Sequence, residues 1–235
     1  MSALAWLSED PNLFPDINDA LTDPNGLLAA GGDLSEARLV AAYRRGIFPW
    51  FDDDQPILWW SPDPRCVIDP TAFSPSRSLT KRIRKADFEL RIDEAFPQVI
   101  DACQSRPFDD GTWITEEMKD AYLNLHASGI AHSFECYIGG TLCGGLYGLS
   151  IGNLFFGESM FHHVTDASKL AFAGLMKTMA DAGCPMVDCQ LTNPHLLSLG
   201  AFELPRAEFQ QILNGHIDEP SVDWAQIRGV CSLIW

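Results

Sequence analysis

Two polar residues at the end of a short apolar segment have the type and spacing for proton chemistry. Asp188 and Gln190 flank Cys189 in residues 185–190, which read PMVDCQ. Alternate side chains of a regular strand share a face, so Asp188 and Gln190 should lie about 6.5–7 Å apart on one face, with Cys189 on the other. An ionised Asp there needs a partner, and a Gln amide can donate to it while its carbonyl stays available. The alternative is a structural Asp that is hydrogen-bonded to a neighbouring loop.

A second candidate is a carboxylate in an aromatic setting. Glu158 lies within residues 155–161, which read FFGESMF. Because an unpaired buried charge is costly, Glu158 should bind an ammonium or hydroxyl group of a ligand, or pair with a structural lysine such as Lys169. Together with Leu146 and Met160, the aromatic residues could line a pocket for a bulky apolar side chain, although aromatic residues in strands usually belong to the core.

Two further features could contact nucleic acid. Four tryptophans could each stack on a base, at about 1–3 kcal/mol apiece, unless they are core residues; they are Trp50, Trp59, Trp60 and Trp113. Between residues 74 and 86 there are five basic residues and no acidic one; they are Arg77, Lys81, Arg82, Arg84 and Lys85. Such a stripe on a protein of net charge −16 could bind RNA locally, whereas a solvated helix face is the plainer interpretation.

Several classes of function are disfavoured. The sequence has no G-x-S-x-G elbow and no Walker loop. Its histidines lack metal spacing, and its seven cysteines form no C-x-x-C pair, so neither a zinc site nor a disulfide framework is expected. No apolar run approaches the roughly 18–20 residues of a membrane span, and the first residues carry no basic secretory start. We therefore expect a cytoplasmic protein with reduced, buried thiols, without a metal and away from the membrane.

The hydrophobic periodicity predicts an α+β fold. Helices are expected in residues 35–46, 75–86, 93–105, 115–129, 166–183, 195–199 and 206–213. Strands are expected in residues 132–138, 141–150, 153–161 and 185–190, with Gly139-Gly140 as a hairpin turn. Antiparallel strands followed by a helix and a further strand are the order of N-acyltransferase folds, in which the last two strands splay apart to admit an acyl donor. The stiff segment around residues 59–65 predicts a boundary between a small N-terminal domain, residues 1–64, and a larger C-terminal domain, residues 65–235.

Taken together, the sequence is similar to the leucyl/phenylalanyl-tRNA–protein transferase family. The matching segments run in the family's order over roughly residues 12–210 and are residues 25–34 (NGLLAAGGDL), 45–51 (RGIFPWF), 58–65 (LWWSPDPR), 111–115 (GTWIT), 132–135 (HSFE), 157–161 (GESMF), 188–190 (DCQ) and 198–201 (SLGA). The resemblance implies a monomer with a small N-terminal domain and a GNAT-like catalytic domain, whose mixed, mainly antiparallel sheet is flanked by helices. It also implies transfer of Leu, Phe or Met from aminoacyl-tRNA to proteins beginning with Arg or Lys, which marks them for N-end-rule degradation without a cofactor or metal.

The resemblance also implies roles for individual residues. The family's catalytic pair falls on Asp188 and Gln190, with Asp188 holding Gln190 while the Gln190 carbonyl takes up the proton of the attacking amine. The expected substrate contacts are Leu146, Phe155, Glu158, Ser159, Met160 and Asn193. The expected contacts to the terminal adenosine and the tRNA are Trp50, Trp113, Arg77, Lys81, Arg82 and Arg84. Leu146, Leu175 and Met179 depart from the family pattern, which has Met at the first position and aromatic residues at the other two.

Two rival functions are weaker. An acetyl-CoA N-acetyltransferase would need a glycine-rich cradle for the pyrophosphate at a helix N-terminus. Here the strand-to-helix joint, residues 162–166, has no glycine and ends in an acid. A non-catalytic RNA-binding module would use the basic stripe and the indoles but gives no reason for Asp188 and Gln190.

Overall fold

Two β-sheets organise the chain, and the first is built from short strands among its turn-rich N-terminal residues. In the computed structural model, which describes residues 4–105 and 114–231, this sheet comprises β1 (Ala5–Trp6), β2 (Leu27–Ala30), β3 (Phe48–Pro49) and β4 (Leu58–Trp60). The strand order is β1-β2-β4-β3, with β1 parallel to β2 and the other pairs antiparallel. A 3₁₀ turn at Ile17–Asp19 precedes β2.

Helix α1 (Glu36–Tyr43) lies between β2 and β3. Ser35 caps it by accepting a hydrogen bond from the Arg38 backbone N–H. Gly46, at a φ of 74°, turns the chain back towards β3 in a conformation that favours glycine. This leaves Tyr43, the last residue of α1, fully buried.

The second sheet has eight strands, and most of it is antiparallel. Its strands are β5 (Arg65–Ile68), β6 (Glu89–Ile92), β7 (Ala131–Ile138), β8 (Thr141–Ile151), β9 (Leu154–His162), β10 (Val187–Gln190), β11 (Phe202–Leu204) and β12 (Gly229–Cys231). They lie in the order β11-β5-β10-β9-β8-β7-β6-β12. Strand β10 is parallel to β9, whereas the other pairs are antiparallel. The sheet is therefore mixed and mainly antiparallel, and the α+β prediction is confirmed.

Helices cover both faces of the second sheet. They are α2 (Arg77–Arg84), α3 (Phe96–Gln104), α4 (Glu116–Ala127), α5 (Ala167–Asp181), α6 (Pro194–Ser198), α7 (Arg206–His216) and α8 (Trp224–Ile227). Side chains alternate across the sheet: Leu146 and Phe155 belong to the core that contains α5, whereas Tyr147 and Phe156 belong to the core that contains α1, α3 and α4. The second core is continuous with that of the first sheet, so one apolar interior joins the N-terminal segment to the larger sheet.

Three details differ from the sequence-based expectations. The helix expected from residue 93 begins at Phe96, because Asp93 has a φ of 59°, outside the helical region. Asp166 precedes α5 but makes no capping bond, and its carboxylate instead pairs with Lys169 at 3.2 Å. Strands β1 to β6, β11 and β12 were not predicted, because segments of two to four residues are too short for a clear alternation of side chains.

Within residues 4–105 and 114–231, no helix has the length and apolar character required to cross a membrane.

Candidate functional site

A cavity opens where two parallel strands part. Strands β9 and β10 pair only at Phe155 with Val187 and at Phe156 with Asp188. Beyond these positions β9 continues alone on that side, and a cavity of about 750 Å³ lies in the gap. Its lining is mostly apolar and includes Phe48, Trp50, Leu146, Met160, Phe161, Phe172 and Leu175. The polar side chains of Glu158, Gln190 and Asn193 share this lining, so reactive groups stand beside an apolar pocket.

Asp188 is held by an arginine from the adjacent strand β5. Arg65 donates from Nε and Nη2 to the two carboxylate oxygens, at 2.8 and 2.7 Å. Both side chains are only 1% exposed. The guanidinium carbon lies between the rings of Phe48 and Phe209, 4.8 and 4.7 Å from their centroids. Asp188 thus has the partner that a buried carboxylate requires, and the partner is not the Gln190 side chain.

Gln190 is positioned by a break in the strand. The pairing register of β10 with β5 shifts between Asp188 and Gln190, and Gln190 has a φ of 56°. Its backbone N–H donates to the Asp188 carboxylate at 3.0 Å. The prediction that Asp188 and Gln190 share a face while Cys189 points away is wrong, because the bulge breaks the alternation. Cys189 and Gln190 both line the cavity, whereas Asp188 is buried behind them.

Glu158 is the centre of a polar cluster assembled from four elements. Its Oε1 accepts hydrogen bonds from the Tyr43 hydroxyl at 2.7 Å and from Gln190 Nε2 at 3.3 Å. Its Oε2 forms a hydrogen bond with the Tyr122 hydroxyl at 2.8 Å. The two tyrosine hydroxyls are themselves 2.7 Å apart. Lys169, the alternative partner suggested by the sequence, pairs with Asp166 instead.

The number of protons needed for the hydrogen bonds of this cluster favours the protonated, neutral form of Glu158. Glu158, Tyr43 and Tyr122 make three close oxygen–oxygen contacts. Each contact needs one proton to be a hydrogen bond. When the carboxylate is ionised, the two tyrosine hydroxyls supply only two protons, so one of the three contacts is left without a proton. With a protonated Oε2 donating to Tyr122, each contact holds one proton, and Oε1 can still accept from Tyr43 and Gln190. Burial accordingly raises the pKa of Glu158 to about 7, although the two tyrosine hydroxyls act to lower it.

The same environment keeps both tyrosines protonated. Burial, followed by the nearby charge of Glu158, raises the pKa of Tyr43 and of Tyr122 well above 10. Both side chains are fully buried. Below about pH 7 the cluster is thus a set of neutral groups that fixes the position of the Gln190 amide.

Most of the other predicted substrate contacts line the cavity. Leu146 and Met160 face each other across β8 and β9, and Ser159 and Asn193 also belong to the lining. Asn193 uses its Oδ1 to cap α6, accepting from the Leu196 backbone N–H at 2.9 Å. Phe155 lies elsewhere, with its ring 6.4 Å from that of Phe134 and 6.1 Å from that of Trp224.

The residues predicted to contact the tRNA are spread over two places. Trp50 lines the cavity with 42% of its surface exposed and packs against Trp60, whereas Trp113 lies outside the described residues. Three basic residues of α2 are exposed, with no ion-pair partner among the described residues; they are Arg77, Lys81 and Arg84. Arg82 is instead paired with Asp87 and lies over the Phe88 ring.

Helix α6 lies between the main cavity, where Trp50 is exposed, and the basic helix α2. His195 and Leu196 line the main cavity, whereas Leu197 and Ser198 line a second cavity of about 370 Å³ that also contacts Ser76 and Leu79 at the start of α2. The basic helix and the main cavity therefore flank the same short helix.

Three residues of the site were not predicted from the sequence. Arg65 is an arginine within an apolar strand, and this unusual setting was its only signal. Tyr43 and Tyr122 each lie on the buried face of a helix, where a tyrosine resembles ordinary core. Their hydroxyls are the distinguishing feature, because a buried tyrosine hydroxyl needs a partner.

Metal-ligating side chains do not gather at this site. Across the part of the chain that the structure describes, no three His, Cys, Asp or Glu residues are arranged to hold a metal ion.

The fold and the site define an α+β protein with an apolar cleft at a strand gap and a neutral acid–amide cluster on its wall. The family model for leucyl/phenylalanyl-tRNA protein transferases matches residues 67–214, and the model for the N-terminal domain of these transferases matches residues 32–63. The chain belongs to this family of aminoacyltransferases.

Individual relatives agree over almost the whole chain. It is 54% identical to the leucyl/phenylalanyl-tRNA–protein transferase of Pseudomonas putida (strain W619) over 94% of this chain and 99% of the relative. The Stutzerimonas stutzeri and Chromobacterium violaceum transferases are each 52% identical, over 94% of this chain and 99% and 94% of the relatives. Among solved structures, L-PGS from Bacillus licheniformis is 11% identical with a TM-score of 0.41, covering 86% of this chain and 66% of that one. This similarity is too weak to bear on fold or function.

Proposed function

We propose that this protein transfers Leu, Phe or Met from aminoacyl-tRNA to the N-terminal α-amine of proteins that begin with Arg or Lys. The observation that carries the proposal is the position of Gln190 and Glu158, 3.3 Å apart, on the wall of an apolar cavity. The family assignment supplies the donor and the class of acceptor.

The cavity suits the side chain of the transferred amino acid. Its volume of about 750 Å³ leaves space for a Leu, Phe or Met side chain and part of the adenosine beside it. Leu146, Met160 and Leu175 provide an apolar lining without charge. Such a pocket discriminates weakly between apolar side chains of similar size, which accounts for the acceptance of several amino acids.

The polar cluster suits the chemistry. An aminoacyl ester is already activated, so the enzyme must mainly position a neutral amine against it and manage one proton. Because Gln190 Nε2 donates to Glu158, the Gln190 carbonyl oxygen is left to accept a hydrogen bond from the attacking amine. The amine then forms a bond to the ester carbon, and its proton ends on the ribose oxygen that leaves with the tRNA.

Asp188 acts through the backbone of Gln190 in this scheme. Its carboxylate holds the Gln190 N–H at 3.0 Å and is itself fixed by Arg65. The pair thereby keeps Gln190 in a left-handed conformation that a glutamine rarely adopts. Asp188 is a positioning residue, and Gln190 is the residue that contacts the reacting amine.

The tRNA would lie across helix α6. Trp50, exposed at the cavity, provides an indole for the terminal adenosine. The exposed Arg77, Lys81 and Arg84 of α2 provide charge for the phosphates of the acceptor stem. The net charge of −16 on the whole protein favours the approach of an acceptor that begins with a cationic residue.

We also propose how the chain is divided into domains and where it acts. We assign residues 1–64 to the N-terminal domain and residues 65–235 to a GNAT-like catalytic domain, supported by the separate sheets and by the parting of β9 and β10. The protein acts as a monomer in the cytoplasm.

One experiment separates this function from its rivals. Purified protein is mixed with an Arg-initiated peptide and either labelled Phe-tRNA or labelled acetyl-CoA, with a Glu-initiated peptide as the control acceptor. We expect label on the Arg peptide from Phe-tRNA alone. Label from acetyl-CoA would indicate an acetyltransferase, equal labelling of both peptides would refute the acceptor preference, and tRNA binding without transfer would indicate a binding module.

A further inference from the structure

The bulge in β10 also brings two thiols together. Asp188 lies opposite Val67 of β5 and Gln190 lies opposite Cys66, so Cys189 is the additional residue of the bulge and lies beside Cys66. Cys66 belongs to the core that contains α5, and the Cys189 side chain packs against that same core. Cys66 is fully buried, whereas Cys189 is half-buried and lines the cavity.

We infer that Cys66 and Cys189 form a redox modification site, in which a small peroxide oxidises the two thiols to an intramolecular disulfide and thereby stops the reaction. The geometry supports this because the bulge places Cys189 beside Cys66 on the neighbouring strand, and Cys189 borders a cavity that a small oxidant can enter. Nothing in the transfer chemistry requires either thiol.

The two thiols differ in acidity. The hydrogen bonds from Cys189 and Thr192 lower the pKa of Cys66 despite its burial. The same contact with Cys66, together with burial, raises the pKa of Cys189 well above 9. Burial raises the pKa of Cys184 to about 11 and that of Cys136 to about 12, so neither thiol shares the lowered pKa of Cys66.

The oxidation balances with hydrogen peroxide as the oxidant. The reaction starts from the singly ionised pair, in which Cys66 is the thiolate and Cys189 the thiol. The Cys189 proton moves to Cys66, and the resulting Cys189 thiolate attacks one peroxide oxygen and breaks the O–O bond. The products are Cys189 sulfenic acid and hydroxide, which takes the proton from Cys66 and becomes water. The Cys66 thiolate then attacks the Cys189 sulfur, the S–S bond forms, the S–O bond breaks and hydroxide leaves. The two sulfur atoms lose two electrons in total, and the peroxide gains them.

A disulfide here would disturb the site on both strands. Cys189 is joined directly to Asp188 and Gln190, and Cys66 is joined to Arg65. Drawing the two sulfur atoms to bonding distance moves the bulge, and with it the Gln190 amide that lies 3.3 Å from Glu158. A misplacement of about 1 Å at a reacting group costs on the order of a hundredfold in rate.

The test uses the full chain, reduced and freed of reductant, with a small molar excess of hydrogen peroxide. We expect a non-reducing digest to contain a linked peptide that joins Cys66 and Cys189. We also expect transfer to fall by about a hundredfold and to return with dithiothreitol. The Cys66→Ala variant should keep its activity in the reduced state and resist peroxide, whereas the control Cys184→Ala should be inactivated like the parent protein.

Each contrary result is decisive. Absence of the linked peptide, or a Cys66→Ala variant that peroxide inactivates as fast as the parent, overturns the site. If Cys66→Ala is unstable, Cys66→Ser and the digest of the unaltered protein decide the same question. A linked protein with unchanged turnover overturns the effect on activity. The activity readout rests on the proposed transferase function, but the linked peptide does not, so a reduced protein without transferase activity would leave the thiol result standing.

Discussion

Arg65 and Asp188 are joined by two parallel hydrogen bonds in a fully buried setting, although 123 residues separate them in the sequence. A carboxylate that is engaged on both oxygens in this way is ill suited to take a proton from a substrate. The relationship supports the proposed role of Asp188 as part of the framework that holds Gln190.

The first prediction concerns this ion pair. Asp188→Ala should lower the free energy of unfolding by about 3–5 kcal/mol, because it leaves the Arg65 charge buried without a partner. The combined replacement Arg65→Met and Asp188→Leu should recover much of that stability but not the turnover, since Gln190 loses the acceptor of its backbone N–H. Urea unfolding and single-turnover transfer measure the two effects. The exposed pair of Lys177 and Asp181 is the control, where Asp181→Asn should cost about 0–1 kcal/mol.

The second prediction concerns Gln190. Gln190→Ala should lower kcat by about 10²–10⁴ while tRNA affinity and the unfolding midpoint stay close to those of the parent, because the side chain lies on the cavity wall rather than in the core. Thr192→Ala, two residues further along the same segment, should leave kcat within about twofold. A folded Gln190→Ala protein with parental turnover would end the assignment of Gln190 to the reacting amine.

The third prediction concerns the protonation state of Glu158. Glu158→Gln should keep most of the activity, because a neutral amide can donate to Tyr122 and accept from Tyr43 and Gln190 as the protonated acid does. Glu158→Ala should lose about a hundredfold, because the Gln190 amide is no longer held. Steady-state transfer to an Arg-initiated peptide compares the two variants. Equal loss in both would show that the ionised carboxylate is required.

The fourth prediction is a dependence of stability on pH. Burial raises the pKa of Glu158 from 4.5 to about 7, so the native protein retains a proton that the unfolded chain has released. The contribution of this proton to stability is complete below pH 4.5 and is lost as the pH rises through about 7. Urea unfolding of the parent and of Glu158→Gln is measured at several pH values. The free energy of unfolding of the parent should fall relative to that of Glu158→Gln as the pH rises from 4.5 through about 7, and the difference between the two should be constant at higher pH. A pH-independent difference would contradict the neutral state of Glu158.

The fifth prediction concerns helix α2. Replacing Arg77, Lys81 and Arg84 with Gln should weaken tRNA binding and lower the slope of log affinity against log salt by about 2–3. Arg82→Gln should have a smaller effect, because Arg82 is already paired with Asp87. Lys177→Gln on α5 is the matched control for loss of one charge. An unchanged salt slope in the triple variant would place the tRNA elsewhere on the protein.

Local patterns and short motifs predicted the parts of the molecule that depend on neighbours in sequence. The hairpin at Gly139-Gly140 and strands β7, β8 and β9 follow from alternation and turn residues, and the Thr115 cap of α4 follows from its side chain. The bulge at Gln190 could not be predicted in this way, because a glutamine in a left-handed conformation carries no sequence signal.

The contacts of the site were harder to predict for the same reason. Asp188 needed a partner, but only the tertiary fold selects Arg65 among the basic residues. Tyr43 reaches Glu158 across 115 residues, and its helix gave no indication of that contact. The resemblance to a family indicated candidate positions, whereas the structure shows which side chain each position contacts.

The long sequence separations within the site bear on how the protein is made. Tyr43 and Arg65 leave the ribosome more than 100 residues before Glu158 and Asp188 can join them, and Phe209, which stacks on Arg65, follows later still. A nascent chain therefore cannot hold Gln190 in place as it is held here until Phe209 has been synthesised. A chain that ends before these residues has no assembled site with which to handle charged tRNA.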